Sequence, residues 1–151
     1  MSRFAAAALI ALALDAAVLH AQAATAAPTA AGGDPRAFCV DTLGGEVWAR
    51  TELYFGLSRA AGPPIGEEEF AAFLADVVTP RFPDGLTVLS GRGQYRGESG
   101  VVVQEPTKVL VLFYPWTANR NRAVERIRTR YKRLFQQEAV LRVDDASCVS
   151  F

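Results

Sequence analysis

The chain has 151 residues with 16 basic and 16 acidic side chains, so its formal net charge is zero, which argues against a generic nucleic-acid binder. Its one histidine, His20, and its one methionine, Met1, both lie in an N-terminal stretch that reads as an export signal. With that stretch removed no imidazole remains, and this excludes serine triads, cysteine–histidine pairs and histidine-ligated metal sites.

The signal reading rests on Arg3 as a positive start, an apolar run from Phe4 to Leu14 and a small-x-small site at Ala21-Gln22-Ala23, predicting cleavage after Ala23. Asp15 interrupts the run, which even through Leu19 is shorter than the roughly 20 apolar residues of a membrane span. An uncleaved anchor is the alternative. Cys39 is too distant for a lipoprotein signal, so the expectation is a periplasmic or secreted protein without a stable membrane anchor. Residues 24–36, rich in Ala, Thr, Pro and Gly, read as a flexible linker. Residues 37–151 are long enough to fold as one domain.

Within that domain Trp48 to Leu57 alternates, with Leu53, Phe55 and Leu57 on one face and Glu52, Tyr54 and Gly56 on the other, the pattern of a half-buried strand. Glu67, Glu68 and Glu69 after Gly66 mark a helix start, because carboxylates favour the positive end of the helix dipole. Phe70, Phe73, Leu74, Val77 and Val78 then form one apolar stripe that must end at Thr79-Pro80. Leu86 to Ser90 predicts a second strand, weakened at its far end by Gly91 and Gly93. Val101 to Glu105 and Thr107 to Tyr114 predict a third, bent or broken at Pro106, with a continuous apolar run that suits a strand covered on both faces. Thr117 is the expected N-cap of a second helix whose buried face holds Val124, Ile127, Tyr131, Leu134 and Phe135. Ala139 to Asp144 begins the last strand.

Strand, helix, strand, strand, helix, strand predicts an α+β fold of the ferredoxin-like βαββαβ kind, a four-stranded antiparallel sheet with two helices on one face. That topology brings the start of the first strand beside the end of the last, where Cys39 and Cys148 fall. In an exported chain the simplest reading of two such cysteines is a disulfide, with two free thiols as the alternative.

The strings TELYFG (Thr51 to Gly56), TPRFPDGLTVL (Thr79 to Leu89), GRGQYR (Gly91 to Arg96), EPTKVL (Glu105 to Leu110) and YKRLFQQEAVLRVD (Tyr131 to Asp144) resemble those of a bacterial family known as domain of unknown function 3574. The resemblance covers about Arg50 to Phe151. It implies exported bacterial origin and supplies no activity and no catalytic residues.

Several clusters carry candidate chemistry. Gly91 to Gly97 lacks phosphate-loop spacing and is not followed by a helix, so it reads as a glycine-bent strand end. Arg92 and Arg96, beside Gln94 and Tyr95, would suit a small anionic ligand or form a surface pair without function. Glu52, Tyr54 and Arg142 are expected on the sheet face away from the helices, as the polar groups of a pocket or, more simply, as a structural Glu52–Arg142 ion pair. Exposed apolar residues on that face predict a homodimer. Arg122, Arg126, Arg130 and Arg133 form a basic helix face, read as solvated in preference to membrane-bound. No metal or cofactor is expected, since carboxylates alone remain and lack calcium-loop spacing. The resulting expectation is a non-catalytic binding or interaction module that dimerises through its open sheet face. The alternative is a cofactor-free enzyme with a cleft lined by Tyr54, Glu52, Arg92 and Arg96.

Overall fold

The computed structural model describes residues 34–151; the expected signal, its cleavage site and most of the expected linker lie outside the described residues. The described residues begin slightly before the expected domain start at Ala37. The Asp34 carboxylate accepts the Arg36 N–H at 3.0 Å and caps a short helix, α1 (Pro35–Ala37), which continues as a π turn over Phe38–Thr42. Asp at the N-cap followed by Pro at the first helical position is a helix-start signal inside what reads as linker composition.

Strand β1 (Glu46–Gly56) alternates as its sequence requires. Ala49, Thr51, Leu53 and Phe55 are fully buried on one face, while Trp48, Arg50, Glu52 and Tyr54 occupy the other. Helix α2 (Glu67–Phe73) starts at Gly66, whose N–H is held at 3.0 Å by the Glu69 carboxylate, and runs through a π turn (Leu74–Val78) to the Thr79-Pro80 stop. Strands β2 (Thr87–Arg96) and β3 (Val102–Tyr114) form a long hairpin. Helix α3 (Ala118–Phe135) is capped by Thr117, whose Oγ1 accepts the Arg120 N–H at 3.1 Å, and ends at Gln136 in the left-handed region with φ 56°. Strand β4 (Leu141–Val149) completes an open four-stranded sheet of order β2-β3-β1-β4 with every neighbouring pair antiparallel. The described residues thus form an α+β unit of one antiparallel sheet and three helices.

The odd-numbered residues of β1 and the even-numbered residues of β3 build the core against α2 and α3. Phe55 stacks on Tyr131 with ring centroids 4.4 Å apart, and Phe70, Phe73 and Phe135 complete an aromatic cluster around them. Burying each of these rings stabilises the fold by about 1.5–3 kcal/mol. Tyr131 also donates its hydroxyl to the Gly56 carbonyl at 2.8 Å, tying α3 to the end of β1. Lys108 is buried on the same face and satisfied by Glu67 at the start of α2 and by Ser90.

Four expectations change. Leu134 is 47% exposed and not in the core, because Tyr131 and Phe135 already fill the α3 stripe and Leu134 falls beyond its edge. Strand β2 continues past Gly91 and Gly93 to Arg96, since β3 supplies a partner for every residue of it. Strand β3 is unbroken at Pro106, which pairs with Arg92 and accepts the Leu57 N–H at 3.0 Å. Phe113, on the face away from the helices, is 42% exposed, so the strand's second face is covered only in part.

A disulfide joins Cys39 to Cys148, closing the π turn after α1 onto the end of β4, with a sequence separation of 109. Among the described residues no helix is long and apolar enough to cross a membrane.

Candidate functional site

The sheet face turned away from α2 and α3 holds a cavity of about 560 Å³ at the end where β1 and β2 finish and β3 and β4 begin. Register determines what reaches it. On β1 the lining residues are Tyr54 and Gly56, on β2 Gly93 and Tyr95, on β3 Val103, Glu105 and Thr107, and on β4 Leu141. The β2–β3 hairpin extends past the end of β1 and curls across it. Tyr95, from one edge of the sheet, therefore places its hydroxyl 3.4 Å from the Glu138 carboxylate, in the segment leading into the opposite edge. A side chain at Gly97 would collide with Glu138, so the absence of one permits this approach.

The polar groups of the cavity are fixed from below and from the side. Glu105 lies over Gly56, where any Cβ would overlap its carboxylate, and its Oε2 accepts the Ser58 N–H at 2.8 Å. Gln137 donates to the Ser58 carbonyl at 2.6 Å and holds the facing loops together. Tyr54 donates its hydroxyl to Glu52 Oε2 at 2.5 Å, and the other Glu52 oxygen takes Arg50. That bond to Glu52, with burial second, raises the Tyr54 phenol above its ordinary value, so it stays protonated with its one O–H committed to Glu52 and its oxygen left to accept from a ligand. The Tyr95 phenol is raised too, by loss of solvent and then by Glu138. Arg59 is the one arginine on the lining and is paired with Glu69, which leaves the carboxylates of Glu105 and Glu138 to set the sign of the site.

The structure separates the residues that the sequence groups together. Tyr54 and Gln94 line the cavity, and Glu52 supports Tyr54 from within β1. Arg92 and Arg96 fall on the alternate register positions of β2, the face of Val88 and Ser90, and neither lines the cavity. Arg142 lies opposite Leu53 and so on the helix face, where it binds Glu125 and Asn121 of α3 and its neighbour Asp144. The expected Glu52–Arg142 pair is therefore not made, and Arg50 takes its place. The misplacement of Arg142 has a definite cause: β1 and β4 pair directly, so residues facing the helices on one sit opposite residues facing the helices on the other, and Arg142 opposes Leu53 rather than Glu52. Glu105 and Glu138 were not singled out for the site by sequence, and Tyr95 was named only as a neighbour of Arg92 and Arg96. Among the described residues no three His, Cys, Asp or Glu side chains gather as a metal site.

Fold and cavity together define an α+β domain with a small-molecule-sized hollow on the uncovered face of its sheet. The chain belongs to the family described as Protein of unknown function (DUF3574), which matches residues 50–151. Solved structures of phage SAM lyase are similar in fold. A phage SAM lyase in complex with S-methyl-5'-thioadenosine is 16% identical, covering 69% of this chain and 90% of that one with a TM-score of 0.54. A phage SAM lyase in the apo state is 15% identical, covering 70% and 90% with a TM-score of 0.51. At these identities the likeness is one of fold alone. No curated protein matches the chain in sequence.

Proposed function

We propose that the chain is an exported binding domain of ferredoxin-like fold whose ligand occupies the cavity over Tyr54 and Gly56. Two strand-helix-strand units and the order β2-β3-β1-β4 support the fold name. The disulfide supports export, since such bonds persist in oxidising compartments.

The observation that carries the binding reading is a cavity of about 560 Å³ that combines apolar walls with two tyrosines and two carboxylates. That volume lies within the roughly 300–1,000 Å³ of small-molecule sites. The tyrosine rings and the side chains of Val103 and Leu141 suit a flat or apolar body, while Glu105 and Glu138 suit a cationic or hydrogen-bond-donating group. Arg92 and Arg96 are not at this cavity, so the ligand proposed for it is cationic in place of the anionic one expected from sequence. The phage SAM lyase of similar fold supplies probes of suitable size and differing charge: SAM, a sulfonium cation, and S-methyl-5'-thioadenosine, a neutral thioether.

Calorimetric titration of the full chain tests the proposal. SAM is expected to bind more tightly than the thioether, and Glu105→Gln to weaken SAM binding about tenfold, the value of one charge-assisted contact. Equal affinity for the two probes, or no binding of either at millimolar concentration, would overturn the charge assignment. The cofactor-free enzyme remains a second reading because the Tyr54–Glu52 hydrogen bond joins a protonated phenol to a carboxylate beside the cavity; consumption of SAM in the same titration would favour it. We further propose that the uncovered sheet face beyond the cavity joins two copies of the chain.

A further inference from the structure

The helix layer holds a second concavity, a groove of about 530 Å³ between the π turn that ends α2 and the outer face of α3, lined by Asp76, Arg81, Arg126, Thr129, Arg130 and Arg133 among others. We propose that this groove binds a small, multiply charged anion of the phosphate class. The proposal does not depend on the function of the sheet-face cavity.

The arginines of α3 divide into two groups. Arg120 bonds Asp84 and the Arg81 carbonyl, Arg128 bonds Glu125 and the Val140 carbonyl, and Arg122 bonds Asn119; these guanidiniums are engaged within the fold. Arg126, Arg130 and Arg133 have no carboxylate within ion-pair distance among the described residues, and all three face the same groove. Spaced i, i+4 and i+7, they repel one another along one helix stripe, an arrangement that costs stability when nothing lies between them. Only Arg133, in the last turn, gains from the helix dipole.

Arg81 adds a fourth guanidinium from the opposite wall. Its Nη1 donates to the Val77 carbonyl at 2.5 Å, while its Nε is buried with no partner. The acidic residues of the groove do not cancel this charge. Glu125 is committed to Arg128 and Arg142, and Asp76 is one carboxylate against four guanidiniums. Planar guanidinium forks converging from two walls match the oxygens of a phosphate better than they match a single negative charge. The concave shape favours a small soluble anion over a membrane, since a flat bilayer surface cannot enter the space between two helices.

The test is calorimetry of the full chain with inorganic pyrophosphate as the probe, at constant ionic strength. Saturable binding is expected, weakened about 100-fold in the Arg126→Gln/Arg130→Gln double variant at roughly tenfold per charge-assisted contact. Arg122→Gln, which leaves the groove intact, is expected to bind as the unaltered chain does. Both groove substitutions are on exposed positions, and circular dichroism confirms that the double variant is folded. Absence of saturable binding, or equal affinity in the double variant, overturns the proposal. A parallel sedimentation arm uses phosphatidylglycerol vesicles: binding to vesicles without binding to pyrophosphate identifies a membrane contact and also overturns it.

Discussion

Thr51 is the residue on which the helix side of β1 turns polar. It is fully buried, shares a hydrogen bond of 2.5 Å with the Tyr114 hydroxyl and donates to Asp144 Oδ1 at 2.6 Å. Asp144 passes the network to Arg142, Arg142 to Glu125, and Glu125 to Arg128. Burial alone would raise the Asp144 carboxyl; the bonds from Arg142 and Thr51 outweigh it and hold the group below its ordinary value. A carboxyl depressed on folding stabilises the protein above its unfolded pKa, near 4, and that contribution is lost as pH falls through the folded value. Thr51→Val keeps the shape and leaves Tyr114 and Asp144 each short of a partner, which is expected to cost about 1–3 kcal/mol in urea unfolding at pH 7. In Asp144→Asn the deficit at pH 7 should shrink on acidification to pH 3, because the unaltered chain then loses what the variant never had. A pH-independent deficit would show that Asp144 contributes through packing alone.

Among the elements, α2, α3 and β1 were readable because each has one clean period, such as alternation over Leu53, Phe55 and Leu57 and helical spacing over Phe70, Phe73, Leu74, Val77 and Val78. The disulfide was readable because the strand order brings the ends of β1 and β4 together. Both strands of the β2–β3 hairpin were readable but the full length of β2 was not, because glycine marks a strand end in isolation, whereas here pairing with β3 carries β2 through Gly91 and Gly93. That one misjudged length hid the cavity. Continuing the alternation of β2 to Arg96 places Tyr95 on the same face as Tyr54 and turns Arg92 and Arg96 away from it. Gly56 offers a test of how the hairpin and β1 share the site. Its added Cβ would overlap the far end of the Glu105 side chain and not backbone, so Gly56→Ala can fold by displacing that carboxylate. The expected result is a loss of SAM affinity of about tenfold, comparable to Glu105→Gln, with a change in unfolding free energy below about 1 kcal/mol, as Ala suits a strand better than Gly. Unchanged affinity would mean that Glu105 does not meet the ligand.

For the whole molecule the unresolved demand is the uncovered sheet face. Its central polar groups, Arg50, Glu52 and Tyr54, bond one another along β1, leaving Arg50 Nε buried without a partner. Around them Leu89 on β2, Phe113 on β3 and Val143 on β4 are 53%, 42% and 44% exposed, one from each of the three other strands. Exposed apolar side chains on three strands of one face are the basis for the proposed pairing, since a second copy of the same face is apolar at matching positions around a two-fold axis. Light scattering of the purified chain is expected to give twice the mass of one chain. Phe113→Glu would put a further carboxylate into that contact, where desolvation without a partner costs several kcal/mol, and should yield monomers. Because Phe113 makes no part of the core under the helices, the variant's unfolding midpoint should stay close to that of the unaltered chain once the dimer's concentration dependence is removed. A monomer at high micromolar concentration in the unaltered chain would count against the paired face and leave the cavity as the one site on it.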